Sequence, residues 1–374
     1  MRNILEIIGL TLALLWLPVL WLPAQEARAQ ETPGPAAFLL AVPESGPLAE
    51  LGSKAIQGAE LALGIWGGGF RLEVLDENRP GTIEKIDLGK VAMVLGYFTE
   101  SRFAADAPRY LYLHKPVLLP FLTNEEAAAR GAGLFFRLMP TAREQGRFLA
   151  LEILKLRRRP SRLLLITGTE PVQAALVETL TETLAAPAKP PLKPLDDKAQ
   201  VVAISIEQAL EPEGLAQFGR HRPDLAVLAL ERTEALKLVS HLARSGYGQV
   251  PLWGVTSLGF RDIGAAFTNL NLDLRLCLPS VNLADQKNPN VRNFTRQFID
   301  AYKTHPTWIS ALAFDSLNLA IKAASSAEDL QSLVGFLTGR GHHGLTAYDL
   351  GPESDSPVAL TIMPVKAAEL GFLP

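Results

Sequence analysis

Short apolar runs alternate with longer amphipathic stretches along almost the whole chain, and this alternation constrains the fold more than any other feature. Ala37–Val42 is a continuous apolar run of the kind buried on both faces of a sheet, followed by the loop Pro43–Pro47. A helix is expected over Leu48–Ile65, where Ala55, Ala59 and Leu63 recur four apart. Trp66-Gly67-Gly68-Gly69 should end it, because glycine takes the left-handed conformation that closes helices. Phe70–Leu75 then alternates with period two, as a strand does. Further strands are expected at Val91–Leu95, Val117–Leu119, Leu163–Ile166, Val201–Ile204, Leu225–Leu230, Leu252–Val255 and Leu274–Leu278. Helix starts punctuate the intervals. Thr141 with Glu144 forms a capping box, Asn288-Pro289 pairs an N-cap with proline at the first helical position, and Ser326 with Asp329 marks another start. Repeated strand–helix–strand units predict an α/β architecture of mostly parallel sheets covered by helices.

The chain has 374 residues, which exceeds what one such sheet ordinarily organises and predicts two lobes. The proline-rich stretch Ala186–Pro194 reads as a surface loop inside one lobe, not a linker. No internal repeat is visible. Lys plus Arg total 36 against 39 Asp plus Glu, for a net charge of −3; this balance argues against a dedicated nucleic-acid binder. The single cysteine, Cys277, excludes an intramolecular disulfide and a thiolate zinc site. Ile4–Leu22 is almost entirely apolar, Arg2 precedes it, and Ala27-Arg28-Ala29 supplies a small-x-small site. Residues 1–29 are therefore read as a cleaved secretory signal peptide, the competing reading being a retained membrane anchor. No cysteine lies near the cleavage site, so a lipoprotein is not expected, and the expected location is the periplasm.

Catalytic signatures are missing. There is no G-x-S-x-G, P-loop or G-x-G-x-x-G, and none of His114, His221, His241, His305, His342 and His343 forms an H-x-x-x-H pair. His342-His343 between glycines reads as a turn. Lys155, Arg157, Arg158, Arg159 and Arg162 read as cations at a helix C-terminus facing water. A two-lobed α/β chain without a catalytic constellation points to binding, with ligand contacts in loops after the strands: Glu44–Gly46, Tyr97–Ser101, Pro120–Asn124 and Val255–Ser257.

Several segments, in order, are similar to the periplasmic leucine/isoleucine/valine-binding proteins of ABC importers. Ser45–Gly52 with Gly58–Ala62 resembles that family's first strand exit and helix. Gly96–Ser101 looks like its ligand loop, Lys115–Asn124 its P-x-I-S-P-x-x-T segment, and Phe135-Arg137 with Gln145-Gly146 its lead into the second lobe. Phe298–Tyr302 and Ala311–Ser316 resemble its late helices, and Gly344–Thr346 its last turn without the second glycine. The resemblance implies a type I periplasmic-binding-protein fold joined by hinge crossovers. Its first lobe would comprise residues 34–137 plus 279–340, its second 138–278 plus 341–374. It implies ligand contacts from Ser45, Gly46, Thr99, Glu100, Ser101, Phe121, Leu122, Thr123, Glu231 and Thr256.

Thr123 falls on the family's carboxylate-binding threonine. The carboxylate-binding serine falls on Glu100, or on Thr99 or Ser101 if the loop shifts by one. The ammonium-binding glutamate falls near Thr256, an aromatic of the second lobe falls near Glu231, and a Tyr-Gly is replaced around Glu170-Pro171. The helix after Asp76 is shortened. Glu100 and Glu231 would suit a cationic or polyhydroxylated ligand. The implied role is a monomeric, non-enzymatic solute-binding protein that needs no cofactor or metal and docks on an ABC permease. A sensing or scaffold module of the cell envelope is the alternative.

Overall fold

The computed structural model describes residues 36–364, apart from 187–192, 197, 212, 216–221, 280–282, 284–286, 340–341, 346, 349 and 351–357. The expected signal peptide and most of the proline-rich loop lie outside the described residues. The strands are β1 (Ala36–Val42), β2 (Phe70–Asp76), β3 (Val91–Gly96), β4 (Val117–Leu119), β5 (Phe135–Arg137), β6 (Arg162–Thr167), β7 (Gln200–Ser205), β8 (Leu225–Ala229), β9 (Leu252–Gly254), β10 (Leu274–Pro279), β11 (His342–His343), β12 (Ala347–Tyr348) and β13 (Leu360–Pro364). The helices are α1 (Ala49–Trp66), α2 (Glu100–Tyr112), α3 (Glu125–Ala129), α4 (Ala142–Lys155), α5 (Pro171–Ala185), α6 (Ile206–Leu210), α7 (Arg232–Arg244), α8 (Arg261–Asn269), α9 (Pro289–Tyr302), α10 (Trp308–Ser326) and α11 (Leu330–Leu337). Among the described residues, no helix is long and apolar enough to cross a membrane.

Two sheets organise these elements. The first has strand order β2-β1-β3-β4-β5 and the second β13-β10-β9-β8-β6-β7. If the second sheet is renumbered from β6, its parallel strands repeat the order of the first, so the fold is duplicated in topology without a visible repeat in sequence. Among the described strand pairs of these two sheets, β13 alone runs antiparallel to its neighbour, β10. The strand runs read from sequence agree with the structure to within a residue or two at each end. β5 and β13 were not foreseen, and His342-His343 forms a two-residue strand against β12 instead of a turn.

Each sheet carries an apolar core on both faces, and no core mixes the two bodies. Phe38, Leu40, Met93, Phe294, Phe298 and Leu312 belong to one core of the first sheet; Leu39, Val94, Tyr97 and Tyr110 belong to the other. Ile166, Leu228, Leu252 and Phe267 form one core of the second sheet; Leu149, Leu165, Val227 and Trp253 form the other. Cys277 is fully buried in that last core, and burial pushes its thiol well up, as an inert core residue requires.

The chain passes between the bodies three times. Met139 packs in the first and Ala142 in the second; Leu278 packs in the second and Leu283 against the first; Val358 packs in the first while Leu360 flanks the second. The stretch after residue 340, expected with the second lobe, is thus divided. Leu345, Tyr348 and Val358 join the first core and only β13 joins the second sheet. Buried Asp315 on α10 holds this stretch, accepting from Leu345 N (2.8 Å) and Tyr348 Oη (2.9 Å). At the first passage the Thr141–Glu144 capping box forms as expected, and half-buried Arg137 pairs with Glu144 at 2.8 Å, fastening β5 to the start of α4.

Candidate functional site

In sheets of this order, ligands collect outside the carboxyl ends of the strands, where the chain winds away to opposite sides. In the first body that point lies between β1 and β3. The loop after β1 is held by the Asp76 carboxylate, which accepts from Glu44 N (3.1 Å), Ser45 Oγ (2.7 Å) and Asn78 N (3.1 Å). Burial raises the affinity of Asp76 for a proton, but those hydrogen bonds and nearby Arg79 outweigh it and keep the group below the usual carboxylate range. Ser45 therefore serves the loop, while Gly46 is exposed at φ 77°.

After β3 the backbone turns through Gly96 at φ 119°, where a Cβ would lie 2.0 Å from the Ala41 carbonyl oxygen, so only glycine fits. Tyr97 follows at φ 66°, with its N–H donated to the same oxygen at 2.7 Å. Its hydroxyl donates to Asp106 (2.7 Å) and accepts from Tyr110 (2.5 Å), which anchors this left-handed residue in the core. Beyond it, Phe98 N and Thr99 Oγ1 each donate to buried Glu77 at 2.8 Å. Burial raises the Glu77 carboxyl. Phe98 stacks on Phe121 of the loop after β4, with ring centres 4.2 Å apart. Glu100, half-buried at the start of α2, accepts from Asn124 Nδ2 at 2.8 Å. Thr123 is half-buried beside it.

In the second body the corresponding loops follow β6 and β8, and one carboxylate joins them. Glu234 accepts from Thr169 N (3.0 Å) and Oγ1 (3.2 Å), Gln173 Nε2 (3.0 Å) and Glu231 N (2.7 Å). Glu231 itself, half-buried at the N-cap of α7, has its carboxyl pushed up to about 7. Burial is the main cause, followed by the like charges of Glu234, Glu170 and Glu100. Glu100 belongs to the first body, so its field on Glu231 brings the two strand-end loop sets within electrostatic reach of each other.

The structure separates the expected site residues into three groups. Thr99, Glu100, Phe121, Thr123 and Glu231 lie partly accessible at the strand ends, with Gly46 on the neighbouring loop. Thr256 and Leu122 do not present themselves to a ligand. Thr256 is 4% exposed, with its hydroxyl 2.9 Å from both Gln145 Oε1 and the Cys277 carbonyl oxygen, because β9 ends one turn before a buried 3-10 segment. Leu122 is buried in the first body's core. Ser101 is exposed and lines a groove of about 450 Å³ between α2 and α3, which Glu100 and Asn124 also line. Sequence reasoning missed Glu77, Phe98, Gln145 and Glu234. Phe98 left a signal as an aromatic inside the loop already singled out, and Gln145 as part of the Gln145-Gly146 segment, without a site role.

Beside these loops lies a cavity of about 610 Å³ walled by both bodies. Pro47, Leu51 and Lys54 line it from the β1 exit and α1, and Arg232, Gly259 and Phe260 line it from the β8 and β9 exits. Trp308 Nε1, at the start of α10, donates across to the Gly259 carbonyl at 3.2 Å.

No known family profile matches the chain, and no curated protein matches it in sequence. Solved structures do match in shape. A solute-binding protein of an ABC transporter from R. palustris, in complex with benzoate, is 19% identical with a TM-score of 0.69; the match covers 90% of this chain and 94% of that one. The branched-chain amino acid substrate-binding protein LivJ of Streptococcus pneumoniae, in complex with isoleucine, is 18% identical with a TM-score of 0.66, covering 88% and 99%. The leucine-binding protein LivK of Thermotoga maritima is 15% identical with a TM-score of 0.68, covering 87% and 94%. With its two like-ordered sheets, separate cores and three crossings, the chain has the type I periplasmic-binding-protein fold.

Proposed function

We propose that the protein is an extracytoplasmic solute-binding component of an ABC importer, which captures a small polar ligand between the strand-end loops by closure of the two lobes and presents it to a membrane permease. The observation that carries this reading is the pair of like-ordered sheets whose strand-end loops come within electrostatic reach of each other, Glu231 of one body lying in the field of Glu100 of the other. The ABC-transporter proteins of matching shape support it. The role needs no bond made or broken, in keeping with loop residues that are chiefly hydrogen-bonded to one another.

Within that role the ligand carries a positive charge. An amino-acid site in which an acidic side chain meets an ammonium group is replaced here by two carboxylates, Glu100 from one body and Glu231 from the other, while the first body's strand-end loops also carry the stacked rings of Phe98 and Phe121. A carboxylate near Glu100 would be repelled, whereas an amine would relieve the crowding of four acidic groups and could rest on an aromatic face. Calorimetric titration with leucine, small amines, polyamines and small carboxylates tests this. Binding of amines that weakens roughly tenfold in Glu231→Gln supports it; micromolar binding of leucine, unchanged in that variant, overturns it.

A further inference from the structure

The cavity beside the strand-end loops has a chemistry unlike the acidic cleft. Lys54, Lys303 and Arg232 line it, against the acidic side chains Glu50 and Asp262. Asp262 is already engaged, because Arg232 Nε approaches its two oxygens at 3.1 and 2.9 Å and Nη2 approaches Oδ2 at 2.8 Å. On the opposite wall Lys54 Nζ donates to neutral oxygens, Thr304 Oγ1 at 3.0 Å and Gln57 Oε1 at 3.4 Å. Burial lowers the proton affinity of Lys54, offset in part by Glu50, so the ammonium is short of solvation. Lys303 Nζ donates to the Asp300 carbonyl at 2.8 Å. Thr304, His305 and Thr307 add neutral polar and imidazole groups, and Leu51, Phe260, Ile299, Trp308 and Ile309 supply an apolar part of the wall. Half-buried Lys54 and exposed Lys303, both donating to uncharged oxygens, thus line a chamber of ligand size whose wall is partly apolar.

We propose that this cavity is a second binding pocket, for an organic anion with an apolar body, whose carboxylate is held by Lys54 and Lys303. The inference rests on the two-lobed binding fold but not on the cationic ligand proposed for the cleft, since Thr99, Glu100, Thr123 and Glu231 do not line this cavity. Its walls come from both bodies and the Trp308–Gly259 hydrogen bond spans them, so an occupant acts on the lobe angle as well as on its own contacts.

Calorimetric titration of the full chain with hexanoate and phenylacetate, with benzylamine as the cationic counterpart, tests the pocket. The acids bind the native protein. Lys54→Met, which keeps the apolar stem, weakens them roughly tenfold, and Lys54→Arg retains them. A circular-dichroism melt of each variant confirms that it is folded. Carboxylate binding that is absent, or indifferent to Lys54→Met, overturns the proposal. Lys54-dependent carboxylate binding together with failure of every amine would sink the cationic reading of the cleft and leave the pocket standing.

Discussion

Glu231 concentrates the electrostatics of the cleft in one side chain. Its carboxyl is raised from 4.5 to about 7, first by burial and then by its acidic neighbours. Between those values the folded protein holds a proton that the unfolded chain releases, so its contribution to stability falls as pH rises through that window and is flat above about 7. A cation prefers the ionised form. Amine affinity should therefore climb from pH 5.5 to about 7 and then level, with a proton released on binding at the lower end. Titrations in buffers of different ionisation enthalpy read that proton directly, and Glu231→Gln should abolish both the slope and the release. A pH-independent affinity in the native protein would refute the assignment. The placement of Glu231 at a strand exit was legible in the sequence, but its proton affinity was not, because it depends first on burial and then, besides its helix neighbour Glu234, on Glu170 and Glu100, which lie far off in the chain. Thr256 teaches the converse. Its position in a strand-exit loop was read correctly, yet whether such a residue faces solvent or the core is decided by Gln145, which lies 111 positions away.

Among the elements, strands were read almost to the residue and helix contacts hardly at all. A parallel strand covered on both faces must be apolar throughout, so β1, β6 and β8 stand out as unbroken runs. β5 and β13 gave no such signal: β5 is three residues long, and β13 is half-buried along its length and takes its place through pairing with β10, far away in sequence. The small residues of α1 hinted at close packing without naming the partner. Gly58 lies so close to α10 that a Cβ would sit 2.0 Å from the Ser310 carbonyl oxygen. Gly58→Ala sets a gain in helix propensity of about 1 kcal/mol against overpacking of about 1–3 kcal/mol, and contact with backbone places it at the costly end. The variant should lose about 2 kcal/mol net, seen as a lower urea midpoint at unchanged slope. Equal or greater stability would mean that α1 and α10 are farther apart than described.

At the scale of the whole molecule, the separation of the cores has a thermodynamic signature. No apolar cluster unites the two sheets, so each body has grounds to melt on its own. Scanning calorimetry of the ligand-free chain should give a van't Hoff enthalpy below the calorimetric one, and a ligand bound to both bodies should bring the two together. A ratio of one without ligand would show that the crossings alone couple the bodies. The architecture itself was legible, because alternating elements and chain length imply two covered sheets. The route of the final stretch was not, because Asp315 recruits Leu345 and Tyr348 through hydrogen bonds that no local pattern announces. The triple passage has a mechanical outcome as well. A single tether would let the halves tumble and two would still let them shear, but three favour a swing over other relative motions. In the proposed role, whatever a solute contributes on entering goes into that swing, and the outer faces of the halves reach the same mutual orientation each time.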